Sequence, residues 1–450
     1  MNGSGGTADV LSVSGGSAGL QASYDAMRSL AADHVDVAFR LTRLSRVTAR
    51  AATDPDLLES AVLSPGTAVR AEAAVVTATA GPDGVLLAAT RCELDSLTIQ
   101  AAVELFESAD EARHDAFEVI DYLVGRALGA ALLTPAGLVA LEAVIALGGQ
   151  DVVTDHPSQV EHLVNGGGGL LAGLTLGLLP TLTTQDGAEQ VGDLYPDGQP
   201  VVTGLDVDLP TTQPTSVEDL IAHLGQLAEL STGADSPLNG TIEIQTVTGA
   251  DGQTVHIVNL PGTDDLTTLP WTADDDVRDM GTNLGLIAGT TDDYQQGILE
   301  AMAQAGIGMD EPVLIVGHSQ GGMEAVAILA ADSGFTITDV VTAGSPTTQV
   351  GDLPPGSNVL SLEQYGDLVP LLDGEPNRPS LQQTTVLVDA HPASGIEAHH
   401  DYDVYVAAAD AADHSSHPSV VSSIQSLHAH GFLGSGSHVT SQVFQITRAP

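Results

Sequence analysis

Lysine is absent from this 450-residue chain, so its twelve basic residues are all arginines, set against 59 aspartates and glutamates. Nine of those arginines lie at or before Arg126, and the formal charge at pH 7 is -47, which leaves the rest of the chain almost purely acidic. Such a surface repels phosphate backbones and anionic headgroups, because both need a positive footprint to release counterions or gain Coulomb energy. Nucleic acid is therefore excluded as an expected partner, and strong binding to anionic membranes with it. Solubility or tolerance of high salt accounts for the acidity. Cysteine occurs once, at Cys92, which excludes an intramolecular disulfide and a thiolate metal cluster. The opening "MNGSGGTADVLSV" has neither a basic n-region nor an apolar h-region. No cleaved secretory signal is expected, and the protein is placed in the cytoplasm or on a leaderless export route.

Long uninterrupted apolar runs are also missing. Residues 127–141, "ALGAALLTPAGLVAL", are too few to span a bilayer and contain Pro135. Residues 163–185 are long enough but broken by four successive glycines and Pro180, and neither segment has a basic flank to orient a span. Both read as buried helices. At this length two domains are expected. Residues 1–182 form a mainly helical N-terminal region, in which Leu20, Tyr24, Met27, Leu30 and Ala31 recur at helical spacing. Within it, two Val/Ala/Thr runs around "GPDG" between Ala68 and Cys92 predict a hairpin. Residues 183–214, rich in Pro, Gly, Thr and Asp, read as a linker or long loop. From 215 to 450 a helix start at Ser216 and Asp219 leads into β-branched runs that alternate with helical text. The fold class expected there is α/β, a mostly parallel sheet covered by helices on both faces.

Residues 313–330, "VLIVGHSQGGMEAVAILA", carry the chemistry. Four apolar residues run into a serine enclosed by glycines, and an apolar helix pattern resumes at once. A serine that attacks a carbonyl must stand clear on a turn too tight for neighbouring side chains, which Gly317 and Gly321 remove on either side of His318, Ser319 and Gln320. This segment resembles the nucleophile elbow of the serine α/β-hydrolases, with Ser319 as nucleophile. The bare pattern also occurs as "GGSAG" around Ser17, which reads as a helix cap. The resemblance covers roughly residues 241–449 and implies an α/β-hydrolase-type catalytic domain whose acid and histidine follow later strands.

On that resemblance "YGDLVP" supplies Asp367 as the acid, with Glu363, Asp373 and Asp389 as competitors, because "GDLVP" is similar to the text around the acid of fungal-type lipases. The base is His400, with His399 as the alternative and His391 a third candidate. "HDYDVY" is similar to the text opening the last helix of several bacterial lipase-like hydrolases, whereas "HHDY" fits the fungal-type pattern. The oxyanion donors are the backbone amides of Gln320 and Thr263, the latter following the strand "HIVNL". The implied activity is serine carboxyl-ester hydrolysis through an acyl-enzyme, of the esterase or lipase type, on an acyl ester or neutral lipid. No cofactor and no metal are expected, since "HSSH" and "HAH" near the C-terminus lack an identifiable third ligand. The same residues would serve an acyltransferase or thioesterase. A further alternative is a helical interaction or export module, with a protein partner for the N-terminal region, carrying a hydrolase-fold domain used for binding; Trp271 is the only tryptophan, so that region lacks a W-x-G turn.

Overall fold

Along residues 312–318, successive apolar side chains enter two different cores: Val313 and Ile315 pack on one side, Leu314 and Val316 on the other. Burial on both faces explains why the run is continuously apolar instead of alternating. The computed structural model describes residues 8–51, parts of 55–100 and, apart from short breaks, 184–449. Two compact units divide the chain: Met1–Leu20 with Phe117–Pro450, and Gln21–Ala116.

The first unit holds one sheet of nine strands in the order β1-β8-β7-β6-β5-β4-β3-β9-β2. Its strands are β1 (Asp9–Gly15), β2 (Gln199–Leu205), β3 (Thr241–Thr248), β4 (Thr254–Leu260), β5 (Pro312–His318), β6 (Thr336–Ala343), β7 (Asn358–Gln364), β8 (Gln383–Asp389) and β9 (His438–Ala449). From β4 to β8 all neighbours run parallel. The pairs β3/β4, β3/β9, β2/β9 and β1/β8 are antiparallel, so the sheet is mixed, with a parallel centre and antiparallel margins. Helices α4 (Val217–Ala228), α9 (Tyr402–Asp413) and α10 (Pro418–His430) contribute to the core on one face. Helices α6 (Asp293–Ala305) and α7 (Gln320–Ala330) contribute to the core on the other. Ser216 caps α4 by accepting from Asp219 N at 3.0 Å, and Val217, Leu220, Ile221, Leu224 and Leu227 are its buried stripe. Each such side chain stabilises the fold by roughly 1.5–3 kcal/mol.

Three expectations are corrected. Residues 183–214 are not a bare linker: they contain α3 (Thr184–Gly192) and β2, which pairs with β9 through seven residues. Pro200 and Gly204 lower the strand propensity of β2, but an edge position beside β9 tolerates both. The N-terminal region opens with a strand rather than a helix, because β1 finds its partner in β8 more than 370 residues later. The predicted hairpin between Ala68 and Cys92 is replaced by α2 (Pro65–Ala80) and helical residues 85–92. Alanine favours helix there. Thr77 and Thr79 satisfy their hydroxyls on the carbonyls of Ala73 and Val75 at 2.8 and 2.7 Å, inside the helix. The predicted helix at Leu20–Ala31 is part of α1 (Ser17–Ala51), which Ser17 opens directly after β1. Most of the expected helical stretch at 96–147, and the apolar segments up to residue 183, lie outside the described residues. Among the described residues no helix is long and apolar enough to cross a membrane.

Candidate active site

Only Ser319 separates the end of β5 from the first residue of α7, and it adopts φ 53 and ψ -123. Positive φ in a non-glycine residue costs on the order of 1–3 kcal/mol and persists only where surrounding packing imposes it. Here the packing is backbone against backbone. A Cβ on Gly317 would lie 2.2 Å from the Gly321 carbonyl oxygen, and one on Gly321 would lie 2.0 Å from that of Leu260. The Ser319 amide donates to Ala343 O at 2.9 Å, which ties the turn to β6. Its side chain makes no capping bond to α7 and lines a cavity of about 450 Å³.

The loops after β7 and β8 bring an imidazole and a carboxylate to the same cavity. Asp367 is buried, and its Oδ1 accepts from Val369 N at 2.9 Å. Its Oδ2 accepts from His400 Nδ1 at 2.6 Å and from the Tyr405 hydroxyl at 2.5 Å. With the proton on Nδ1, the other nitrogen of His400 is the basic one. That Nε2 is buried and takes no hydrogen bond from the protein. Ser319 and His400 thus share the cavity wall with both reactive atoms uncommitted. Such contacts commonly tighten only when substrate binds.

His318 lies beneath this pair. Its ring packs on that of His400 at 4.5 Å between centroids and on that of Tyr402 at 4.2 Å. Its Nε2 donates to the His400 carbonyl at 3.1 Å. Burial, reinforced by His400, holds the His318 imidazole well below its ordinary pKa, so it stays neutral. A neutral neighbour lets His400 take up a proton without like-charge repulsion. Gly344, at φ 63, makes room for both rings: a Cβ there would lie 2.7 Å from the Tyr405 oxygen and 2.9 Å from His400 Cε1. Burial, with Asp367, raises the Tyr405 phenol well above its usual range, so it remains a donor.

The other candidates are engaged elsewhere. His399, at the end of α8 (Ile396–His399), bonds through Nδ1 to Gly395 O at 2.9 Å. His391 sits 3.2 Å from Asp389 and 3.4 Å from Asp9. Glu363 accepts from Asn377 Nδ2 at 2.6 Å, and Asp373 accepts from Thr348 N at 2.9 Å. Near the C-terminus, His414 bonds to Asp410 O, His428 to Leu433 O and His430 to Asp339, each in a different place.

Two amides remain for an anion. The Gly262 amide donates to the Tyr402 hydroxyl at 3.2 Å and that of Asp264 to Arg278 O at 2.9 Å. Thr263 N, between them, has no partner among the described residues. Gln320, as the first residue of α7, has no carbonyl one turn earlier in the helix to receive its own N–H. Asn283, on α5 (Met280–Ala288), links the two positions: its Oδ1 accepts from Gln320 Nε2 at 3.0 Å and its Nδ2 donates to Thr263 Oγ1 at 3.0 Å.

Arg278 anchors this segment. It is fully buried, pairs with Asp264 at 2.6 Å, and donates to Gly262 O at 3.1 Å and Ser231 Oγ at 2.7 Å. Nearby, burial and then the Asp264 charge push the Asp276 carboxyl up to about 7. Arg278, Asn283, Tyr402 and Tyr405 were not expected from sequence. Only Arg278 carried a signal: it is one of three arginines beyond Arg126, and Arg448, another of them, also forms buried ion pairs, to Asp279 and Asp293.

The assembled groups can deliver a serine oxygen to an electrophile, accept its proton and receive negative charge on backbone amides. No protein-family model, curated protein or solved structure matches the chain.

Proposed function

We propose that this chain is a serine hydrolase of carboxylic esters with an α/β-hydrolase-type catalytic domain, acting through Ser319, His400 and Asp367. One observation carries the proposal: a serine at positive φ, at the carboxyl end of a central parallel strand, shares a cavity with an imidazole bonded from behind to a buried carboxylate. Structural serines give no reason to keep backbone strain at that place, whereas a nucleophile needs it to stand free.

In this mechanism His400 Nε2 takes the Ser319 proton as Oγ attacks the acyl carbon. Asp367 holds Nδ1–H and stabilises the imidazolium, and the amides of Thr263 and Gln320 receive the oxyanion. His400 then protonates the departing alcohol, and water releases the acyl group by the same steps in reverse roles. The apolar cavity and the excess of acidic residues favour uncharged esters or neutral lipids.

The test is Ser319→Ala with p-nitrophenyl butyrate and a fluorophosphonate probe. Turnover should fall on the order of a million-fold if the three residues act as a unit, and labelling should vanish. A variant that keeps most of its turnover would overturn the proposal.

A further inference from the structure

One side of α5 is apolar and has no protein partner. Thr282 and Leu286 of this helix are buried in the fold, whereas Met280, Leu284 and Ile287 line the cavity and stay half-buried. Their spacing of four and then three residues makes one stripe. Over those seven steps the helix rises about 10 Å. Asn283, the polar residue of the same face, is committed to Gln320 and Thr263.

Sheet order says which part of a substrate meets this stripe. Ser319 ends β5. Thr263 and α5 follow β4 on one side of it, whereas Asp367 and His400 follow β7 and β8 on the other. In the tetrahedral adduct the leaving oxygen must face His400, which protonates it, and the oxyanion faces the two amides. The remaining substituent, the acyl chain, is directed past Met323 towards α5.

We propose, on the basis of the serine-hydrolase reading above, that Met280, Leu284 and Ile287 form the acyl-chain subsite and select linear, uncharged acyl groups of about eight carbons. A zigzag of 1.5 Å bonds advances about 1.3 Å per carbon, so about eight carbons match the 10 Å stripe. Charge agrees: Arg278 is the only arginine or lysine on the cavity, and Asp264 already neutralises it, so an acyl chain ending in a carboxylate finds no counter-charge.

The experiment compares p-nitrophenyl acetate, butyrate, octanoate and palmitate on the full-length wild type, Ile287→Trp and Ile287→Ala. In the wild type kcat/KM should rise about fourfold per methylene at most, giving an octanoate-to-acetate ratio on the order of a hundred- to a thousand-fold. Palmitate should do no better than octanoate. Ile287→Trp should cut the octanoate-to-acetate ratio at least about tenfold, since a few lost methylene contacts suffice. Ile287→Ala should shift the optimum to longer chains, a gain that a misfolded variant cannot produce. Unchanged ratios in both variants, with acetate still hydrolysed, overturn the subsite alone. Failure to hydrolyse any ester, together with no fluorophosphonate labelling of Ser319, overturns the hydrolase reading and the subsite with it.

Discussion

Arg278→Met isolates the buried ion pair beneath the candidate oxyanion segment. Methionine roughly keeps the length of the side chain but removes the 2.6 Å pair with Asp264 and the donations to Ser231 Oγ and Gly262 O. The Asp264 side chain is only 4% exposed, so its carboxylate would stay in the interior with Ser231 Oγ and Gly240 N as its remaining donors. Breaking a buried pair by removing one partner costs about 3–5 kcal/mol, because the surviving charge is uncompensated. Against a total stability of about 5–15 kcal/mol this is a large fraction. The urea midpoint should therefore drop on the order of 1 M. Replacing both partners, Arg278→Met with Asp264→Leu, should recover part of the loss, since no lone charge is then buried. Loss of the anchor at Gly262 also frees the Thr263 amide to wander, and kcat should fall on the order of a hundred-fold, the effect of losing one oxyanion donor. Urea unfolding followed by circular dichroism, with kcat measured well below the transition, reads both effects. An Arg278→Met protein that unfolds at the wild-type urea concentration would refute the reasoning.

Gly317→Ala places a methyl 2.2 Å from a backbone oxygen of α7; the expected result is a destabilised protein that a fluorophosphonate no longer labels, and normal labelling would show that the turn can relax. Asn283→Ala cuts the link between the Gln320 and Thr263 side chains, and kcat should fall about ten- to a hundred-fold, less than for outright loss of a donor; an unchanged kcat would mean that the two amides hold their places without it. Glu324 lies fully buried on α7, and burial, together with Asp292, raises its carboxyl well above the usual range, while Asp292 is itself pushed up to about 6 by burial. The folded state therefore keeps a proton that the unfolded chain releases above about pH 4, so this pair makes stability decline as pH rises through about 6. Glu324→Gln has no proton to lose there, and its stability relative to wild type should grow across that window by at most about 1.4 kcal/mol per pH unit. Urea midpoints of both proteins at pH 5 and pH 7 would expose a pH-independent difference, which would contradict the pair's role.

The strands were legible wherever a hairpin or a doubly buried run left its mark within a few residues. The β3/β4 hairpin, the apolar run of β5, the start of α4 and the final strand β9 all stand where the periodicity put them. Strands β1 and β2 were not legible, because their hydrogen-bond partners lie hundreds of residues away and their own composition is that of a loop. The Ala-rich run before Cys92 misled for the opposite reason: its β-branched residues imitate a strand, while the alanines between them and the backbone bonds of its threonines favour a helix.

At the site, sequence alone determined the bend around Ser319. Glycines at 317 and 321 are a local necessity of that geometry, imposed by backbone atoms a few residues away or in the adjoining strand. It could not choose between His399 and His400, which are neighbours in the chain with equal chemistry. Only the tertiary structure decided that Asp367 bonds to His400, that Tyr405 shares the same carboxylate oxygen, and that Arg278 lies beneath the Gly262–Asp264 segment. Steric limits on a tight turn are written in adjacent residues, whereas a hydrogen bond between side chains from different loops exists only once the sheet has brought those loops together.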